Sequence, residues 1–180
     1  MEKIRVFVID PAWRQRKGGL RKSRGNQGRE LDYVTMEVPE IFGLLDREIF
    51  PLAEDDHCVF MWTIDRFLLK CENEMEKRGY KRHCRMIWKK LNGGATAFTV
   101  RYSHEYLIWF YRKRLPPIAG EQRGKFMTVF AERSRQHSRK PDFCYRMIDA
   151  LYPSCGKMDV FSRERRHGWR QFGNQTDYFN

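Results

Sequence analysis

Apolar positions recur along this chain with two different periods, and the alternation between them outlines a set of elements. The run Ile4-Arg5-Val6-Phe7-Val8-Ile9 is apolar at nearly every position and ends in Asp10-Pro11, which predicts a buried strand that stops at a turn. Pro39 opens a helix with Ile41, Leu44, Leu45 and Ile49 on one face, at spacings of three and four. His57 to Thr63 predicts a short strand. Asp65 is placed to cap a following helix that carries Phe67, Leu68, Cys71 and Met75 inward, with Gly79 where that helix should stop. Arg85 to Trp88, Tyr106 to Tyr111 and Phe126 to Phe130 read as three further strands, the first two separated by a loop around Gly93-Gly94. Pro141 suits the first turn of another helix, with Phe143, Cys144, Met147, Ile148 and Leu151 at core spacing. Lys157 to Phe161 is the last predicted strand.

Strands alternating with helices early and late predict an α/β fold with a mostly parallel central sheet and helices on both faces. The run of strands in the middle predicts an antiparallel edge pair. No internal repeat or low-complexity linker divides the chain, so residues 1–180 read as a single domain.

Charge narrows the partner. Lys and Arg number 35 against 23 acidic residues, a formal net charge of +12, which favours a polyanion. The excess is clustered. Arg14, Arg16, Lys17, Arg21, Lys22, Arg24 and Arg29 fall in a Gly-rich loop at about 14–32, and Arg112, Lys113, Arg114, Arg123 and Lys125 in another at about 112–125. Further sets are Arg133, Arg135, Arg139 and Lys140, then Arg163, Arg165, Arg166 and Arg170. Loops at one rim of a sheet can join into a continuous charged surface, so nucleic acid is the expected partner, with Arg16, Lys17, Arg21, Lys22, Arg112, Lys113 and Arg114 on its backbone. A generally basic, solvated surface is the plainer alternative.

The five cysteines form no Cys-x-x-Cys pair, and Cys58, Cys71 and Cys144 fall inside apolar patterns. They read as small buried hydrophobes rather than a zinc site or disulfide framework, so no metal is expected. No stretch approaches the roughly 20 apolar residues a membrane span needs. The chain opens without a signal-like segment, and the expected location is the cytoplasm, with nucleoid association in a prokaryotic or phage setting.

The candidate chemistry sits at the end of the first strand. Ligands of open α/β sheets bind beyond the carboxyl ends of the strands. There the Asp10 carboxylate and the Pro11 carbonyl are two acceptors facing one point, and Trp13 adds a flat apolar surface. Two acceptors and a stacking plate suit a planar ring carrying an exocyclic amino group. Asp-Pro is also a common turn former, so these four residues do not decide the matter alone.

The order of motifs does more. Asp10-Pro11-Ala12-Trp13 is followed by Tyr33-Val34-Thr35-Met36, Val59-Phe60-Met61-Trp62, Gly79-Tyr80, Ile87-Trp88-Lys89-Lys90-Leu91-Asn92 and His104-Glu105. Ser138-Arg139-Lys140-Pro141, Phe161-Ser162-Arg163 and Trp169 to Gln175 complete the series. Nearly end to end, the chain resembles the mRNA adenine methyltransferase (MT-A70) family, as a compact member. It departs from the family pattern at Ala12, where the family has a second Pro, and at Arg165-Arg166, where better-known relatives place His and Asn.

The resemblance implies a Rossmann-like fold and transfer of a methyl group from S-adenosylmethionine (SAM) to the N(6) amino group of adenine. DNA is the favoured substrate because the chain is a bare catalytic core, and RNA is the alternative. It further implies that Asp10, Pro11, Ala12 and Trp13 form the catalytic loop and that Tyr33 and Trp13 hold the base. Asp10, Lys140, Phe161, Arg163, Arg166, Asn174 and Gln175 would line the cofactor site. Arg163 reads almost equally as a surface or phosphate-binding arginine, and Lys89 and His104-Glu105 as either groups near the target strand or a charged strand edge. The competing readings are a non-catalytic nucleic-acid-binding subunit on the same fold and a structural basic protein. A homodimer or a second methyltransferase-like subunit is left open.

Overall fold

The computed structural model describes residues 3–14, 34–92, 100–136 and 138–179. In chain order the elements are β1 (Ile4–Ile9), α1 (Val38–Leu44), β2 (Ala53–Thr63), α2 (Leu68–Lys77), β3 (Tyr80–Lys90), β4 (His104–Arg112), β5 (Val129–Glu132), α3 (Asp142–Leu151), β6 (Lys157–Val160) and β7 (Arg170–Phe172). The strands form one sheet of order β5-β3-β4-β2-β1-β6-β7. Its pairs are parallel except that β4 runs against both β2 and β3.

Alternation along the strands divides the core in two. Phe7 and Ile9 of β1, Val59 and Met61 of β2, and Ile108 and Phe110 of β4 pack against Ile41 and Phe42 of α1 and Cys71 and Met75 of α2. Their neighbours Val6, Val8, Phe60, Trp62 and Leu107 face the other way, onto Cys144, Met147, Ile148 and Leu151 of α3. A strand apolar at every position therefore has a covered face on each side, and the α/β sheet with helices on both faces is the observed architecture. Cys58, Cys71 and Cys144 are buried free thiols.

Local chemistry explains the helix ends. Pro39 and a reciprocal Glu37–Glu40 capping box start α1, which continues through a π-helical turn (Leu45–Ile49). The expected Asp65 cap is instead a single 3₁₀ turn (Asp65–Phe67) ahead of α2. Gly79, at φ 79°, takes the left-handed conformation that stops α2. The carboxylate of Glu132 accepts from the backbone N–H groups of Asp142 and Phe143, both at 3.0 Å, and so caps α3 from β5.

Three strand expectations need correction. The strand expected at Phe126–Phe130 is Val129–Glu132, because Phe126 leaves the ladder to pack on Phe143, with ring centroids 6.2 Å apart. Phe161 lies just past β6, at φ 62°. β7 follows as an additional short strand parallel to β6; at three residues it is too short to show a period.

The buried α3 face generates a stability test. Ile148→Ala removes a fully buried side chain and is expected to cost about 2–5 kcal/mol. Leu69→Ala on α2, 68% exposed, is expected to stay within about 0.5 kcal/mol. Urea unfolding midpoints of the two variants check the pair.

Candidate active site

Strand register brings distant residues to one end of the sheet. β1, β2, β3 and β6 all finish there, which delivers Asp10, Thr63, Lys90 and Phe161, while the reversed β4 begins there and delivers Glu105. Between them lies a cleft of about 330 Å³, whose walls include Asp10, Pro11, Ala12, Trp13, Lys140, Phe161, Arg163, Asn174 and Gln175. All nine are residues expected in the catalytic loop, at the base or at the cofactor.

The loop after β1 is held by its backbone. Trp13 N–H donates to the Pro11 carbonyl at 2.8 Å, Met36 N–H to Ala12 O at 2.9 Å, and Arg14 N–H to Met36 O at 3.0 Å. These bonds restrain the loop where Ala12 replaces the ring of a second proline. They also occupy one lone pair of the Pro11 carbonyl and leave its second. Trp13 departs from the expected open plate. Its ring is 6% exposed, one face stacks on Phe67 at 5.2 Å and 12°, and Nε1 donates to Trp62 O at 3.3 Å. Burial of this ring fixes the loop, and the cleft meets only what the core leaves uncovered.

Four charges alternate through the cleft wall. Lys140 Nζ lies 3.0 Å from Asp10 Oδ1 and 3.1 Å from Glu105 Oε2, and Lys90 Nζ lies 2.5 Å from Glu105 Oε1. Burial pushes the Asp10 carboxyl upward, and Lys140 offsets this only in part while Glu105 adds to it. Burial opposes charge on Glu105 too, but the Lys140 and Lys90 ammoniums outweigh it and hold that carboxyl down at about 2. Burial alone would favour neutral Lys140; Asp10 and Glu105 prevail and keep it above the usual lysine range.

The other wall is made by two segments in close contact. A Cβ on Gly173 would come within 2.9 Å of the Ser162 carbonyl oxygen, so glycine alone allows the approach that carries Asn174 and Gln175 into the cleft. Phe161 and Ser162 N–H both donate to Phe172 O. The Arg163 guanidinium lies 3.9 Å from the centre of the Tyr178 ring and reaches the cleft. Trp62 also lines the cleft, and its buried Nε1 has no hydrogen-bond partner among the described residues.

Arg166 is not in the wall of this cleft but lines a smaller pocket with Asp10, Lys140, Phe161 and Arg163; its guanidinium lies 3.5 Å above the Tyr145 ring, with ion pairs to Glu164 at 2.7 Å and Asp142 at 3.4 Å. Acidic neighbours draw it into the fold behind the cleft. Arg112, Lys113 and Arg114 lie away from this cleft: Arg112 is opposite His57 in the β2–β4 ladder, remote from Thr63. Because β4 is reversed, its exit loop points away from the cleft, and Lys113 is neutralised there by Asp55 at 2.6 Å. The β4 exit loop therefore does not share the rim of the cleft. Tyr33, Arg16, Lys17, Arg21 and Lys22 lie outside the described residues.

In the sequence Lys89 rather than Lys90, and Glu105 only beside His104, are the groups expected near the target strand. The signal for Lys90 was its position two residues after Trp88, which puts both on one face of the strand; Trp88 is buried and Lys89 exposed.

Behind the cleft, Asp159 of β6 is 2% exposed and accepts from Tyr145 OH at 3.0 Å. Burial pushes its carboxyl up to about 7, with the Tyr145 hydroxyl and Arg166 opposing. An unfolded Asp releases its proton near pH 4, whereas the folded one keeps it to about pH 7. Stability is therefore expected to fall between those values, by at most about 1.4 kcal/mol per pH unit from this group. Asp159→Asn keeps an acceptor for Tyr145 and is expected to flatten the decline, leaving the variant the more stable at pH 8. Thermal unfolding measured from pH 4 to 8 checks this.

Comparison with known proteins agrees with this geometry. An MT-A70 family model matches residues 4–175. The chain is 29% identical over 181 residues to the N(6)-adenosine-methyltransferase MT-A70-like protein of Arabidopsis thaliana, covering 96% of this chain and 24% of that protein. It is 26% identical over 184 residues to the human N(6)-adenosine-methyltransferase catalytic subunit METTL3, covering 97% of this chain and 28% of that protein. With the Type II methyltransferase M.MunI of Mycoplasma sp it shares 20% identity over 186 residues, covering 96% of this chain and 77% of that protein. The chain thus spans about a quarter of the length of the first two relatives. With a family model matched across nearly its whole length, the chain belongs to the MT-A70 family.

Proposed function

We propose that this chain transfers a methyl group from SAM to the N(6) amino group of adenine, in DNA. The observation that carries the reading is the Asp10 carboxylate at the end of β1, beside Lys140, Arg163, Asn174 and Gln175 in one cleft of about 330 Å³. That volume is in the range of small-molecule sites. The donor set suits a nucleoside bearing an amino acid: Lys140 and Arg163 for a carboxylate, Asp10 for an ammonium, Asn174 and Gln175 for ribose hydroxyls. The buried Trp62 Nε1–H, without a hydrogen-bond partner among the described residues, belongs to a side chain that lines this cleft.

When bound, SAM supplies the electrophilic methyl group. The chain's own part is to hold the amino nitrogen, whose lone pair is otherwise delocalised into the ring. Asp10 and the remaining lone pair of the Pro11 carbonyl accept its two N–H bonds, which favours a pyramidal nitrogen with an available lone pair. Methyl transfer makes the nitrogen cationic and acidic, and its proton passes to the hydrogen-bonded Asp10 carboxylate and on to solvent, so no strong base is needed. The gain comes from position and preorganised charge. Tyr33 holds the base, which must leave a duplex to reach the cleft, against the little of Trp13 that the core leaves uncovered; Val34, next to Tyr33 in the chain, lines the cleft. Among the relatives, the chain covers most of the Type II methyltransferase, which supports DNA. The net charge of +12 fits either nucleic acid.

Mass spectrometry of nucleosides from DNA and RNA incubated with the protein and SAM tests the reading. N(6)-methyldeoxyadenosine is expected; methylation confined to RNA would move the substrate, and no methylation of either would overturn the activity. In that assay, at saturating SAM, Asp10→Ala is expected to lower the rate about a hundredfold or more. A rate within a few-fold of the parent would leave Asp10 a turn former.

Asn174→Ala with Gln175→Ala is expected to weaken SAM binding without unfolding the protein. Each lost hydrogen bond is worth about 0.5–1.5 kcal/mol, so the pair should cost about fivefold to a hundredfold in dissociation constant by calorimetry.

A further inference from the structure

The methyl-transfer reading leaves Glu105 and Lys90 without a task, although both enter the cleft. Glu105 has a side chain only 15% exposed, and it touches two ammonium groups. Burying a second carboxylate beside Asp10 is unfavourable unless it is well paired, and here Lys90 at 2.5 Å and Lys140 at 3.1 Å pair it on both oxygens. The line Lys90–Glu105–Lys140–Asp10 joins β3, β4, the turn into α3 and β1. Lys140 is thereby divided almost evenly, 3.0 Å from Asp10 and 3.1 Å from Glu105. Without Glu105, the Lys140 ammonium would have one buried carboxylate to satisfy, and Asp10 would be closed in a one-to-one ion pair.

Resting on the methyl-transfer reading, we infer that Glu105 is a positioning residue for Asp10: it draws the Lys140 ammonium into a shared position, so that the Asp10 carboxylate keeps acceptor strength for the substrate amino group. Lys90 is the counterweight that keeps Glu105 charged and sets how far it can pull. Glu105 is not in the reacting line; it acts through Lys140.

The sign of each effect follows from the charges. Asp10 feels Lys140 and Glu105 most directly, with Arg163 beyond them. Asp159 of β6 and Cys144 and Tyr145 of α3 also sense its charge. Glu105→Gln removes a negative neighbour and leaves the others in place, so Asp10 ionises more readily but is more tightly paired. Lys90→Met does the reverse, because an unbalanced Glu105 takes more of Lys140 and makes Asp10 harder to ionise.

The test is the pH profile of methyl transfer on the nucleic acid that the wild-type protein modifies, at saturating SAM. Glu105→Gln is expected to lower kcat about tenfold or more and to move the acid limb to lower pH. Lys90→Met is expected to move that limb to higher pH, and Glu105→Asp to stay near the wild-type limb. A purely structural role would lower activity in both charge variants without opposite displacements, and that result, or an unchanged profile in Glu105→Gln, overturns the inference. If Glu105→Gln does not fold, the Lys90→Met displacement decides alone. A wild-type protein with no methyl transfer overturns the underlying activity instead, which separates the two failures.

Discussion

A single ammonium group organises the cleft. Lys140 Nζ sits between Asp10 at 3.0 Å and Glu105 at 3.1 Å, in a wall where an unpaired charge would be costly. Asp10 comes from the first strand, Glu105 from the fourth, and Lys140 from the turn before the last helix. Their convergence ties the two halves of the sheet together at the end where ligands are expected. With Lys90 the four formal charges sum to zero. Two buried carboxylates can stand close together because an ammonium lies between them.

This arrangement depends on one topological feature, the reversal of β4. A parallel strand in that place would end at the cleft; β4 begins there, so Glu105 enters the site and Arg112 leaves at the far end. The same reversal disperses the positive charge. Lys113 is paired with Asp55 away from the cleft, while Arg139 and Arg166 are drawn to Glu164 behind it. Among the described residues, acidic neighbours take up part of the positive charge locally.

The rest of the site is shaped by backbone approach. Gly173 lets the last segment lie against Ser162, and bonds from Met36 restrain the Ala12 loop. Trp13 shows how a residue can belong to both site and core. Its ring, stacked on Phe67, anchors the loop that presents Asp10 and Pro11.

Much of the fold was legible in the sequence because its elements are local. The apolar run of β1, the three-and-four spacing of α1 and α3, and Gly79 after α2 each carry their own signal within a few residues. Asp10, Lys140 and Asn174-Gln175 were legible for a related reason, as short motifs at strand ends and helix starts in a family-like order. The partners of those residues were not. Glu105 and Lys90 become site residues only through a register that sets Trp88 opposite Glu105, and Arg166 turns inward only because Glu164, Asp142 and Tyr145 surround it. The sequence by itself determined the α/β pattern, the basic balance and the motif residues that reach the cleft. Tertiary structure alone decided which charges face each other, because pairing depends on strand direction and register, and those are set by contacts between residues far apart in the chain.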